Sequence, residues 1–214
     1  MRFLRENALS LVLLVVIAFA SVYFYPTLPD QVPSHFDLNG NPNEYRSREF
    51  IVLFLPLFFG SILALVGLLV KFSPEKFSMP NSRMALNRIL FGTGLLFTAL
   101  HLGLMLEPSS KGSLEKFLCF GMALFMIVAG NVMGKTERNF FIGIRLPWTI
   151  NSEQNWRATH RFAGKLMVIF GVALFAVSFV KASTIIMMIG LFVPIVAPAI
   201  YSFIYYRKHE LPAA

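Results

Sequence analysis

The sequence predicts an all-α membrane protein with six transmembrane helices, cytoplasmic N- and C-termini, one long outer loop and one long inner loop. Three observations predict it. The 214 residues are 56% hydrophobic and only 14% charged, with a mean hydropathy of +0.65, whereas a soluble domain carries about a quarter charged residues. The charges are confined to short segments between long runs that have none. The Lys and Arg residues then fall unequally between the two sets of connections.

A run of about 18 or more apolar residues is long enough to cross the roughly 30 Å hydrocarbon core as a helix. Residues 7–25, 50–70, 89–106, 117–133 and 182–206 contain no Asp, Glu, Lys or Arg. The remaining run, 166–180, is short and lies between Lys165 and Lys181. It reaches spanning length when extended back to Phe162, with the Lys165 ammonium snorkelling to the interface. Unbroken apolar runs also exclude a β-barrel, whose strands alternate. The first run follows Arg2 and Arg5 as a signal peptide would, but it is too long and ends in Tyr23-Phe24-Tyr25-Pro26 without a small-residue cleavage site. It reads as a retained anchor with an interfacial aromatic cluster.

With the N-terminus in the cytoplasm, only five of the 19 basic residues (Arg46, Arg48, Lys111, Lys116 and Lys181) lie outside, and the other 14 lie inside. That bias is the positive-inside rule. It accounts for the net charge of +8 without nucleic-acid binding, since no soluble basic domain exists to hold the charge. The lone Cys119 sits within the fourth run, so no disulfide within the chain is possible and the thiol reads as a small hydrophobe.

The organisation follows from the loops. Residues 1–70 hold two spans and the outer loop 26–49; residues 71–133 hold two more; residues 134–214 hold the inner loop 134–165 and a C-terminal helical hairpin. The outer loop has prolines at 26, 29, 33 and 42, with an Asn39-Gly40-Asn41-Pro42 turn signal. A short strand pair around that turn is expected. In the inner loop, Asn151 with Gln154 three residues on suggests a capping box. The helix it opens would run through Trp156 and His160 into the fifth span. Each long loop follows the first helix of a three-helix half, a layout that would suit an inverted repeat. Pro56, Pro194 and Pro198 are candidate kink positions.

Few residues could carry chemistry. His101 lies deep in the third span, where it is either a functional site or a neutral imidazole bonded to a carbonyl or hydroxyl; the absence of any carboxylate in a span favours the second. Asn131 reads as an interhelical hydrogen-bond donor. His35, Asp37, Glu44 and Glu49 of the outer loop, with His101 and Glu107, could converge on a metal in a transporter or membrane enzyme. Ordinary turn chemistry is the stronger reading, and no metal site or cofactor is expected. Zinc-protease, nucleotide-binding and serine-nucleophile motifs are all missing from the sequence. Arg145, Arg157, Arg161, Trp148 and Trp156 form a basic and aromatic set that could anchor the inner loop at the interface or dock a partner. Trp156 and His160, at i and i+4, should share one helix face.

The stretch 139–149, NFFIGIRLPWT, supplies Asn139, Gly143, Arg145, Pro147, Trp148 and Thr149; Ser152, Glu153, Trp156, Thr159, His160, Arg161 and Gly164 follow. This pattern resembles the signature of the SdpI-type immunity protein family, with Leu146 departing from the Thr or Lys expected there. The outer stretch 28–43, with Pro33, His35, Asn39 and Gly40, resembles the uncharacterised domain that precedes the signature in longer members. The resemblance implies a multi-pass protein of the bacterial plasma membrane. It implies one that acts by binding rather than catalysis, protecting its producer from a secreted peptide toxin at the outer face. It also implies a possible cytoplasmic partner, a transcriptional repressor held at the inner loop, and no direct contact with nucleic acid.

Overall fold

The computed structural model describes residues 2–37, 41–72, 80–108, 113–139, 142–180 and 184–211, with the side chains of 80, 81, 113 and 184 left aside. Among the described residues, six helices are long and apolar enough to cross a membrane. A short α1 (Arg2–Glu6) leads into the spans α2 (Ala8–Phe24), α3 (Arg48–Phe72), α4 (Pro80–Leu106) and α5 (Ser113–Met133). A single-turn α6 (Pro147–Asn151) then precedes the last two spans, α7 (Glu153–Val177) and α8 (Thr184–His209). Hydrocarbon offers no hydrogen bonds, so an apolar run that enters it must satisfy its own backbone, and a helix does so within one segment. The helices α3 and α8 continue through Pro56 and through Pro194 and Pro198.

Several boundaries differ from the hydropathy reading. Helix α4 starts at Pro80, nine residues before the charge-free run, because proline is preorganised for the first helical position and Arg83 and Arg88 can sit at the interface. The fifth span is one continuous 25-residue helix with the preceding inner-loop segment. Its N-cap is Ser152, whose hydroxyl accepts from Asn155 N–H at 3.2 Å. The capping box expected from Asn151 is therefore displaced by one residue: Asn151 closes α6, and Ser152 holds the extended backbone that a cap requires.

Six alternating spans put both termini and the loop after α5 on one membrane face, and the loop after α2 on the other. That second loop folds as expected into an antiparallel pair, β1 (Gln31–Phe36) and β2 (Pro42–Ser47). The pairing runs from Gln31 opposite Ser47 to Phe36 opposite Pro42, with irregularities on either side of His35. The Asn39-Gly40 turn lies outside the described residues.

Packing order in the bundle runs α3, α2, α4, α5, α7, α8, a row of neighbours rather than a ring. This does not match an inverted repeat: α4 packs closely on α2, whereas among the described residues its counterpart α8 packs chiefly on α7. Polar atoms staple the row where helices cross. The Ser21 hydroxyl of α2 lies 2.7 Å from the Val52 carbonyl of α3 and 2.9 Å from His101 Nε2 of α4. Cys119 Sγ of α5 donates to the Leu174 carbonyl of α7 at 3.3 Å. Ile17, Phe59, Leu63 and Leu90 fill the seam between α2, α3 and α4. The outward faces of α2, α3 and α8 expose large apolar side chains such as Val22, Phe19, Leu57, Ile185 and Phe192, as lipid contact requires. Asn131 is exposed and is not the buried interhelical donor that its position suggested.

Helices α5 and α7 cross closely at Gly130 and Gly164. A Cβ placed on Gly164 would lie 2.6 Å from the Gly130 carbonyl oxygen, which is backbone and cannot swing away. Small residues at such crossings let the backbones touch. Gly164→Ala is expected to force the pair apart and cost about 1–3 kcal/mol. A thermal melt of the detergent-solubilised protein should show a lower midpoint, and an unchanged midpoint would refute the tight crossing.

Candidate functional site

The loop between α5 and α7 is irregular backbone pressed against helices, so each of its polar groups needs a partner. The chain leaves α5 by a turn in which Lys135 N–H and Thr136 N–H bond back to Val132 and Met133. The Thr136 carbonyl then accepts from the Trp156 indole of α7 at 2.9 Å. Trp156 is fully buried and stacks on His160, ring centroids 4.0 Å apart. These two rings share a face of α7 with Asn155, Thr159, Ala163 and Gly164, all buried. The i, i+4 expectation is met, but the shared side points into the protein.

His160 is held at both nitrogens. Nε2 receives the Ile144 N–H at 2.9 Å, so it must be unprotonated; Nδ1 lies 2.8 Å from the Trp156 carbonyl, so it must carry the proton. The two contacts together require the neutral Nδ1–H tautomer. Above the imidazole passes Gly143, at φ +119°, the one described residue with positive φ. A Cβ there would collide with His160 Nε2 and lie 3.1 Å from the Trp156 ring. Both backbone conformation and space require glycine.

The rest of the motif closes the loop. Asn139 donates to the Glu137 carbonyl (2.7 Å) and to Ser82 Oγ of α4 (3.3 Å), and accepts from Ile142 N–H (2.8 Å). The buried Thr149 hydroxyl accepts from Leu146 N–H (2.9 Å) and lies 2.7 Å from the Ile144 carbonyl. Pro147 opens α6 at a position where no N–H is needed. Trp148 donates to Ser202 Oγ of α8 (2.8 Å) and stacks on Tyr206. Asn155 donates from Nδ2 to the Ser202 carbonyl (3.1 Å), and its Oδ1 accepts from the Thr159 hydroxyl. The loop thus ties α4, α5, α7 and α8 together.

Of the residues singled out in the sequence, Asn139, Gly143, Pro147, Trp148, Thr149, Trp156 and His160 come together here. Arg145 and Arg161 are exposed at the same loop. Arg138 holds a helix end: its guanidinium donates to the carbonyls of Ile150 and Asn151 at 3.0 and 3.2 Å. Sequence reading passed over Arg138, Asn155 and Ser202, and named Thr159 only as part of the resemblance. The polar pair Asn155 and Thr159, one position before Trp156 and His160, was the available signal.

On the other face, Leu28, Val32, Ile51, Val52 and Met105 form an apolar cluster that seats the hairpin on the ends of α3 and α4. Pro33 is buried, while His35 is exposed with Nδ1 2.6 Å from Asn43 Oδ1. Asp37 holds Asn41 through its N–H (2.8 Å) and its side-chain amide (3.1 Å). Glu49 accepts from Tyr25 and Arg48, and Glu44 lies 3.8 Å from Arg46. Among the described residues no three His, Cys, Asp or Glu gather as metal ligands. The convergent outer cation site is therefore not formed by these residues; each has local turn or ion-pair partners instead. His101 is buried with its Nε2 on Ser21, the hydroxyl partner expected. Ser21 has a single hydroxyl proton, which a carbonyl takes, so Nε2–H is the donor and Nδ1 is left as a buried acceptor without a bond.

Two substitutions separate packing from chemistry in the clamp. Trp156→Ala removes a fully buried ring and its bond to Thr136, at about 3–5 kcal/mol. Gly143→Ala adds a single methyl at strained φ against His160. Both are expected to lower the melting midpoint and the membrane abundance of the protein. Normal abundance for both would show that the loop is not structural.

Comparison with known proteins follows the same division. Residues 135–204 match the SdpI/YfhL protein family, and residues 12–60 match a domain of unknown function, DUF1648. The chain is 25% identical over 210 residues to "Immunity protein SdpI" of Bacillus subtilis (strain 168), covering 96% of this chain and 98% of the relative. No solved structure matches. The resemblance read from the loop motif is thus borne out: residues 135–204 carry the SdpI/YfhL family pattern, in a chain similar to an immunity protein along nearly its whole length.

Proposed function

We propose that this chain is a multi-pass immunity protein of the bacterial plasma membrane, which protects the cell by binding a secreted peptide toxin and not by catalysis. The orientation follows the basic-residue bias, with the termini and the clamp loop in the cytoplasm and the hairpin outside. The observation that carries the reading is the seated hairpin. Val32 and Leu28 lock it to the bundle while His35 and Tyr45 stay exposed, so a ligand meets a surface whose ordering cost is already met. Similarity to an immunity protein across both faces of the membrane supports the same role.

The clamp has a second part in this reading. Burial removes Trp156 and His160 from any docking surface and leaves Arg145 and Arg161 facing outward on the inner side. Those guanidiniums are the contacts offered to a cytoplasmic repressor, which would be sequestered when toxin occupies the hairpin.

Three experiments test these statements. Alkaline phosphatase fused after Asn41 or Ser110 should be active, and after Ser78, Asn151 or Ala213 inactive; activity at Asn151 would invert the orientation. In a survival assay with the toxin, His35→Ala and Gly40→Ala should abolish protection at normal membrane abundance. Full protection by both would remove the hairpin as the recognition site. Arg145→Ala with Arg161→Ala should release the repressor and keep protection, whereas Trp156→Ala should lower abundance and protection together. Repressor recruitment unaffected by the double arginine change would end the docking proposal.

A further inference from the structure

On the face that carries the termini, α1 and the start of α2 meet the first turns of α4 across an open cleft of about 470 Å³. Its lining holds four guanidiniums, Arg2, Arg5, Arg83 and Arg88, against one carboxylate, Glu6. Glu6 is shared: Arg2 Nε and Arg83 Nε each donate to it at 2.7 Å, and Asn87 approaches at 3.4 Å. Desolvation opposes its charge, but the bonds from Arg2 and Arg83 outweigh it and hold the carboxyl below the usual range. Arg2 and Arg83 are thereby occupied. Among the described residues Arg5 and Arg88 are exposed and paired with no carboxylate. At the floor, buried Asn7 donates to the Phe3 carbonyl and to Asn87 Oδ1, each at 3.0 Å, while its side-chain Oδ1 receives no bond.

Apolar side chains complete the lining. Leu9 and Phe91 are among them; each lies about one helical turn further into its spanning segment than Arg5 and Arg88 respectively, and Leu9 is exposed. A free phosphate would use the guanidiniums and leave this wall bare. A ligand with an anion at one end and a hydrocarbon chain at the other would use both.

We propose that the cleft binds an anionic glycerophospholipid from the adjacent leaflet, its phosphodiester between Arg5 and Arg88 and an acyl chain along Leu9 and Phe91. Guanidinium presents paired donors that match phosphate oxygens, and basic pockets between membrane helices select anionic headgroups. The lipid would bridge α1 and α2 to α4, reinforcing the contact that Glu6 makes from the polar side.

The test uses the full chain in detergent, mixed with equal amounts of phosphatidylglycerol and phosphatidylcholine of matched chains, with the bound-lipid ratio read by native mass spectrometry. The parent should favour phosphatidylglycerol. Arg5→Gln or Arg88→Gln should lower that ratio about fivefold each, and the pair about twentyfold, while Arg5→Lys with Arg88→Lys should keep most of it. Arg207→Gln with Lys208→Gln removes the same charge at the end of α8 and should leave the ratio unchanged. An equal fall in that control would replace the cleft with diffuse surface attraction. An unchanged ratio in the Arg5/Arg88 double variant would overturn the site. Displacement of the lipid by excess glycerol phosphate would make it a soluble phosphoester site instead.

Discussion

A peptide group with no water around it must find its hydrogen bond inside the protein, and this one requirement organises both loops as well as the six helices. Within the spans the helical ladder meets it. Several polar side chains there bond to a carbonyl, as Ser21, Thr93, Thr98 and Cys119 do. The loop after α5 has no ladder. Its exposed backbone groups are met one at a time: Thr136 C=O by Trp156, Ile142 N–H by Asn139, Ile144 N–H by His160, Leu146 N–H by Thr149, and Ile150 C=O by Arg138. The side chains of the motif are, for the most part, the partners of an otherwise unsatisfied backbone.

That view explains why a histidine and a tryptophan in the most motif-rich segment are fully buried. His160 is useful because one ring offers an acceptor and a donor on opposite sides, linking the loop to its own helix. No aliphatic residue could do both, and leaving such a group unmet costs about 1–3 kcal/mol. Trp156 pairs a large apolar body with a single N–H, which suits a helix face that must fill space and still bond one carbonyl. The result connects α4, α5, α7 and α8 on the termini side, while Ser21 and His101 connect α2, α3 and α4 towards the hairpin side.

How much of this was legible in the sequence differs by level. The six spans were, because exclusion of charge from hydrocarbon is a property of composition. The strand pair was also legible, from the Asn-Gly turn between two proline-bearing segments. The order of helices in the bundle was not: residues facing lipid and residues facing another helix are both apolar, as Phe59 (buried) and Phe58 (exposed) on α3 show. The continuity of α7 was partly legible, but its cap was assigned to Asn151 instead of Ser152, since both are good caps and only the α6 turn decides between them. Arg138 was missed because its role depends on where α6 ends, which no periodicity reveals. The outer His and carboxylates looked like a cluster only because they share a short segment; each is occupied by a neighbour in the fold.

The two faces therefore solve the backbone problem in different ways, with a consequence for what each can do. The hairpin satisfies its backbone through its own strand pairing and rests on the bundle through Leu28 and Val32. Its exposed residues, His35 and Tyr45 among them, bear little of the fold's stability, so their chemistry can change while the seat remains. The clamp loop has no such freedom, since replacing Gly143, Asn139, Thr149 or Trp156 strands a backbone group or collides with a ring. Arg161, exposed at the same loop, takes part in none of these contacts. A protein built this way can change the exposed residues of its hairpin while the clamp loop keeps one shape.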